Sequence, residues 1–376
     1  MSSENKVITT VLGDISPENL GVTTMHEHVL THFAKFEEFA KGLEPLPAER
    51  VELNMDNAEF LRSHMLYCPQ MWNVSDVDYV SHEVDLFARS GGSAILDGSA
   101  MDIRGSIEGI AEISRRTGVS IVTPTGLYRP SSMANEYASR SSEELFTMCM
   151  AEVYKGIDGT TIKAGAVKGA IDAVNPDGTL AAEDMRCLDI AARVAAETGY
   201  LLSVHSSYPS VPPQTVINTC RMLIEKYGLA PEKIYMCHTD SFARHLSGAT
   251  GPTMVKDYVT NLELSRNASI ELPLALLDMG VTIGIDNWGM TASQYPFAFA
   301  DDIDRVKMAY HLISRGFASQ IVFGHDCVGA LSGIQHGGYG MTRFLDFGLP
   351  LLRDMGISQE DLDQITIHNP AQMLAH

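Results

Sequence analysis

The sequence predicts an α/β chain of the (β/α)8 TIM-barrel type, with long loops at the C-terminal face of the strands, and three observations carry that expectation. Eight short apolar runs, many of them β-branched, alternate with stretches of helical periodicity, the pattern of βαβ units in a parallel sheet. Three runs follow a glycine helix stop, in RRTGVSIV at Gly118, AETGYLLSV at Gly199 and DMGVTIGI at Gly280. Glycine takes up a left-handed conformation at little cost and so turns the helix end into the next strand. Polar, metal-competent residues also recur at the carboxyl ends of the runs, the end at which barrel enzymes keep their active sites.

In chain order the predicted strands are VTTMHEHVL from Val22, SAILDGS from Ser93, VSIVTPTG from Val119, TIKAGAVKG from Thr161, YLLSVHSS from Tyr200, KIYMCHTD from Lys233, VTIGIDNWG from Val281 and QIVFGHDCV from Gln320. The segments DMRCLDIAARVAAE and DRVKMAYHLISRGF place apolar residues at helical spacing, as crossover helices require. One domain over residues 1–376 is expected, with two enlargements. Residues 31–75, rich in Phe, Met and Tyr, form a long connection after the first strand, to be read as a lid, a substrate wall or a dimer contact. Residues 241–279 are too long for one helix and read as a loop followed by two helices.

Hydrophobic residues make up 45% of the chain and charged ones 20%, enough to build a core without disulfides, so wholesale disorder is excluded. Lys and Arg number 27 against 47 Asp and Glu, a formal charge of −20 with no basic cluster, so no nucleic-acid partner is expected. Neither a secretory signal nor a membrane span is visible. The six cysteines, Cys68, Cys149, Cys187, Cys220, Cys237 and Cys327, form no CxxC pair and read as small buried apolar residues in a cytoplasmic protein.

The chemistry gathers at the strand ends. His26 and His28, two apart on the first strand, point to one face. The fifth run ends in His205, the sixth in His238, and the eighth in His325 and Asp326. A lone strand-end histidine is ordinarily structural, but this conjunction at several barrel ends reads as a metal site. The fourth run carries Lys163 and Lys168, five apart and hence on opposite faces, so at most one points inward. An inward lysine beside cations is expected to lose its proton and become able to take up carbon dioxide, giving a carbamate able to bridge two ions. From the residues alone, both lysines facing outward is equally open.

The order HxH, Lys, His, His and Asp resembles the phosphotriesterase-like (phosphotriesterase/lactonase) branch of the amidohydrolase superfamily. The likeness runs over nearly the whole chain, through LGDISPENLGVTTMHEHVL, GVSIVTPTGLY, KAGAVKGAI, CHTDS, FGHDC and ITIHNPAQML. It implies two divalent metal ions, with zinc first and manganese, cobalt or iron as alternatives. His26, His28 and Asp326 would hold one ion and His205 and His238 the other, with Lys168, as N6-carboxylysine, bridging them. His325 should face away and be structural, and Asp240 should orient a ligand, pass protons or cap a helix.

A metal-bridging hydroxide would then be the nucleophile, with Asp326 as the catalytic proton acceptor. Tyr128, in GTGLY, and Trp288, in IDNWGM, are the substrate-binding candidates, each with packing as its other reading; Asp286 is a possible wall residue. Arg104, Arg129 and Arg244 are possible contacts for an anionic substrate. The expected activity on a small-molecule substrate is lactonase-type ester hydrolysis, with phosphotriester hydrolysis, amide or C–N hydrolysis, and a non-catalytic metal-binding barrel as the alternatives. Family members are often dimers, and a homodimer is expected.

Overall fold

The computed structural model describes residues 6–206, 210–243, 270–290 and 300–376. A hairpin comes first, β1 (Ile8–Thr10) and β2 (Gly13–Ile15), and sequence reasoning did not foresee it. The eight predicted runs all contain strands: β3 (Thr23–Glu27), β4 (Ala94–Asp97), β5 (Ser120–Val122) with β6 (Pro124–Gly126), β7 (Ala166–Ile171), β8 (Leu202–Ser206), β9 (Ile234–Met236), β10 (Thr282–Ile285) and β11 (Ile321–Phe323). They pair in parallel, in the orders β3-β4-β5 and β6-β7-β8-β9-β10-β11. The third run is thus a strand broken at Thr123, which joins the two ladders. At the remaining seam the backbone N–H groups of His325 and Asp326 donate to His26 O at 3.2 and 3.0 Å, bringing the end of β11 against β3.

Helices separate the strands as expected. Asp76 caps helix Val77–Arg89 by accepting from the N–H groups of Asp78 and Tyr79, and Ser141 and Glu144 form a capping box on helix Ser142–Tyr154. Gly118 and Gly199 end helices Ile107–Thr117 and Ala182–Thr198 with φ of 71° each, the left-handed stop that the sequence predicts. The long crossover helices bury apolar residues, such as Val80, Val84 and Phe87, in the main apolar cluster. Such residues stabilise by roughly 1.5–3 kcal/mol apiece.

A second cluster fills the barrel interior: Met25, Leu96, Val122, Ala166, Tyr235, Cys237 and Val322. Ile8, Met373 and Leu374 belong to the same cluster, and Val7 and His376 exchange backbone hydrogen bonds, so the two chain ends meet at the barrel floor. The five fully buried cysteines and the partly buried Cys327 are all free thiols. No described helix is long and apolar enough to cross a membrane.

Residues 31–75 fold into short helices, among them Ala34–Ala40 and Ala58–Ser63. Phe33, Leu61, Cys68, Met71 and Trp72 pack with Tyr128 and Ala170 in a third apolar cluster, so the connection lies over the carboxyl ends of the third and fourth runs. Of the second enlargement, the turn Thr239–Ala243 and helix Glu271–Leu277 are described, and the rest of the predicted loop and helix lies outside the described residues, as does Arg244.

Candidate functional site

Strict alternation along β3 would send Met25 and His26 to opposite faces. The register with β4 slips between Thr24 and Glu27, a bulge of one extra residue, and re-phases the strand. Met25 then fills the barrel interior while His26 and His28 both reach its mouth. Glycines leave room for His26: a Cβ on Gly98 would stand 2.8 Å from its ring, and one on Gly324 2.8 Å from its backbone N.

His238 and Asp326 carry left-handed backbones, with φ of 61° and 53°, rare for residues with a side chain and a common mark of functional positions. The turn brings His238 into the site although the preceding Cys237 already faces inward.

The ring nitrogens converge. Asp326 Oδ1 lies 3.5 Å from His26 Nε2 and 3.3 Å from His28 Nε2. His238 Nε2 is 2.8 Å from His205 Nδ1, and Lys168 Nζ is 3.3 Å from His26 Nε2. All six residues assigned to the metal site from sequence are therefore brought together at the barrel mouth. Lys163, by contrast, is exposed, so β7 itself selects Lys168.

The opposite edges of three imidazoles are tethered. Asp286 takes His26 Nδ1 and His238 Nδ1, each at 3.1 Å, the His238 N–H at 2.7 Å and the Tyr235 hydroxyl at 2.5 Å. Ser99 Oγ lies 2.9 Å from His28 Nδ1. Asp286 is not the wall residue that its place after β10 suggested: it is wholly buried beneath the histidines, turning their Nε2 atoms toward the centre.

The electrostatics suit ligation. Burial and the neighbouring Lys168 lower the His26 pKa to about 3, and burial and His238 hold His205 well below the usual imidazole value. Burial also works against protonated His238, but Asp286 and Asp326 outweigh it and raise its pKa. Burial opposes ionisation of Asp326, yet His238 and His26 lower its pKa to about 2. Lys168 is fully buried and, among the described residues, no carboxylate pairs with it; Ser203 Oγ at 3.5 Å and Cys237 Sγ at 3.6 Å are its other neighbours.

His26, His28 and Asp326 offer donor atoms within 4.8 Å of one another and could hold a metal ion; His26, His238 and Asp286 form a second such group. The depressed imidazoles of His26 and His205, the ionised Asp326 and a buried lysine that no described carboxylate pairs with fit the expected pair of cations.

Tyr128 points into the site, with its hydroxyl 3.3 Å from His205 Nδ1. Its backbone N–H donates to Asp102 Oδ1 at 2.8 Å, and Gly126, two residues earlier and at φ 110°, has no room for a Cβ, which would meet Lys168 O at 2.1 Å. Trp288 is buried, edge-on to Phe323 at 5.3 Å, and lines a small cavity with Asp326, Cys327 and Tyr339. It thus serves packing and borders the site at once.

His325 faces away, as expected: Nδ1 donates to Glu27 Oε1 at 2.6 Å and Nε2 accepts the Phe344 N–H at 3.3 Å. Glu27 was missed by sequence reasoning, although its place between two candidate ligands was a signal. Its carboxylate also accepts from the Thr24 hydroxyl at 2.5 Å and the Cys327 N–H at 3.2 Å, clasping β3 to the loop that carries Asp326. Asp240 is locked by Arg305 Nε at 2.6 Å and Asn287 Nδ2 at 2.9 Å, so it is held as an ion-pair partner. Arg104 pairs with Glu152 in the interior and is no surface contact.

Burial raises the pKa of Asp102 to about 7, well above the unfolded value near 3.9. The folded state therefore holds the extra proton between those values, and stability falls as pH rises through that window. Asp102→Asn is expected to gain stability over the parent from pH 4 upward, reaching at most roughly 4 kcal/mol above pH 7. Urea unfolding at pH 5 and pH 8 measures this; an equal difference at both would show that Asp102 does not titrate there.

Fold and site together define an α/β barrel with a candidate metal centre at its mouth. The chain belongs to the phosphotriesterase family, whose model matches residues 6–247 and 244–374. It is 26% identical over 386 residues to an N-acetyltaurine hydrolase of Xenopus tropicalis, covering 100% of this chain and 99% of the relative. An N-acetyltaurine hydrolase of Dictyostelium discoideum is 23% identical, covering 98% and 97%. Among solved structures, a resiniferatoxin-binding protein from Rhodobacter sphaeroides superposes with a TM-score of 0.76 at 24% identity, over 98% of this chain and 94% of its own. A triple mutant of an organophosphorus hydrolase from Deinococcus radiodurans does so at 0.72 and 21%, over 99% and 98%. At these identities the structural likenesses speak to the fold alone.

Proposed function

We propose that the protein is a two-metal hydrolase of acyl compounds, cleaving the amide of an N-acylated small amine. The observation that carries the acyl-hydrolase reading is the convergence of His26, His28, His205, His238, Lys168 and Asp326 at one barrel mouth. Full-length similarity to relatives named N-acetyltaurine hydrolase supports reading the amide ahead of the lactone that the sequence put first. His26, His28 and Asp326 would hold one divalent ion and His205 and His238 the other, with a carboxylated Lys168 shared between them. Such a pair of ions, when bound, activates water and polarises a carbonyl.

The chain's own groups do the rest. Asp326, ionised throughout the neutral range, accepts a proton as water attacks and passes it to the departing amine. Burial pushes the Tyr128 phenol well above its ordinary pKa, so it stays protonated and can donate a hydrogen bond at the His205 side of the site. Asp286 and Ser99 fix the imidazoles, and the third apolar cluster walls off water beside Tyr128.

Lactone hydrolysis is the second reading, favoured by the Tyr128–His205 contact at the third run's end. The test is a panel of N-acetyl amides including N-acetyltaurine, γ- and δ-lactones and aryl phosphotriesters, run on zinc- or manganese-loaded protein. An amide is expected to be the best substrate, with activity lost to a chelator and regained with metal. Phosphotriester turnover above every acyl compound, or inertness toward the whole panel, would overturn the reading.

A further inference from the structure

Beside the candidate ligands, Arg129 is a cation whose bonding is left incomplete. It follows Tyr128 directly, its guanidinium carbon stands 5.1 Å from the Tyr128 ring centroid, and that ring stands 5.0 Å from the His205 ring. The cation is therefore one aromatic ring removed from a candidate ligand.

Arginines buried for structural reasons bond their terminal nitrogens tightly: Arg305 places three nitrogens on Asp240, Asp302 and Ala300 O at 2.6–3.1 Å. Arg104, whose Nε is unpartnered, places its two terminal nitrogens on Pro124 O, at 2.9 Å, and on Glu152. Arg129 differs. Among the described residues its ion pair is a long one, NH1 to Asp172 Oδ1 at 3.6 Å, and its buried Nε has no hydrogen-bond partner either. The other oxygen of Asp172 already accepts from Ser131 Oγ at 2.9 Å. The Arg129 side chain remains 28% exposed, so part of it is still open to a ligand.

A planar fork of donors, stacked on an aromatic face and under-bonded, is the arrangement that takes a carboxylate or sulfonate with two parallel hydrogen bonds. In a chain of formal charge −20, a cation kept at this mouth also offsets the repulsion that an anionic substrate would meet.

We propose that Arg129 is the specificity-determining receptor for an anionic head on the substrate, so that the preferred substrates carry a carboxylate or sulfonate a few bonds from the scissile carbonyl. The proposal rests on the acyl-hydrolase reading for where that carbonyl lies. The cation–π contact with Tyr128 holds the guanidinium beside the ring, and Asp172 restrains it without saturating it.

The test compares N-acetyl-β-alanine with its neutral primary amide, and adds N-acetyltaurine, on the metal-loaded parent, Arg129→Lys and Arg129→Met. The parent is expected to favour the anions over the neutral amide by roughly 100-fold in kcat/KM, chiefly through KM. In Arg129→Met that ratio should collapse toward one, and Arg129→Lys should keep part of it. A parent that does not discriminate, or an Arg129→Met variant that loses all substrates alike with the ratio intact, overturns the proposal.

Binding separates this from failure of the acyl-hydrolase reading. Calorimetric binding of N-acetyltaurine that is at least tenfold weaker in Arg129→Met supports the anion site even where no compound is turned over. Absence of both binding and turnover for the anions overturns it.

Discussion

Lys168→Ala is expected to lower kcat/KM by roughly three orders of magnitude or more and to reduce bound metal from two ions per chain to one or fewer. The side chain is fully buried with Nζ 3.3 Å from His26 Nε2, and no described carboxylate neutralises it. A lysine in that setting is hard to account for as a stabilising ion pair, because burial of an uncompensated ammonium is costly. As an anionic adduct it would supply the negative charge that a two-cation site requires. Elemental analysis of the purified variant, alongside kinetics and a thermal melt, checks this. Two tightly bound ions with parental activity in Lys168→Ala would remove the bridging role and favour a single-metal reaction.

Asp326→Asn should leave the fold and Tm close to the parental values while kcat falls by roughly 10²–10⁴. Asparagine preserves the shape and one oxygen for the neighbouring Nε2 atoms of His26 and His28, but it cannot take up a proton. With its pKa at about 2, Asp326 should not itself impose an acid limb on activity near neutral pH. A kcat within a factor of three of the parent would show that some other group receives the proton.

Much of this was legible in the sequence because it is written in periodicity and in strand-end position. The eight apolar runs become strands, and HxH, Lys168, His205, His238 and Asp326 meet as their order implied. What was illegible depends on departures from regularity. The bulge between Thr24 and Glu27 and the left-handed backbones of His238 and Asp326 are set by packing against other strands, which no local pattern encodes. Asp286 was misjudged for a related reason: a carboxylate after a strand can face the mouth or tuck under it, and Tyr235 and His238, some fifty residues earlier, decide which. The hairpin β1–β2 escaped notice because its strands, Ile-Thr-Thr and Gly-Asp-Ile, carry one apolar residue each and form no apolar run.

The Glu27 clasp bears on how the protein would meet its ions. Since Thr24, His325 and the Cys327 N–H all converge on one buried carboxylate, the gap between β3 and the Asp326 loop is fixed by the polypeptide rather than by whatever cation arrives. The cradle is cast during folding, and its ordering entropy is settled then. Metals of similar size, if the site takes them as proposed, would accordingly be expected to exchange by simple dialysis, with no melting and recasting of the chain between one occupant and the next.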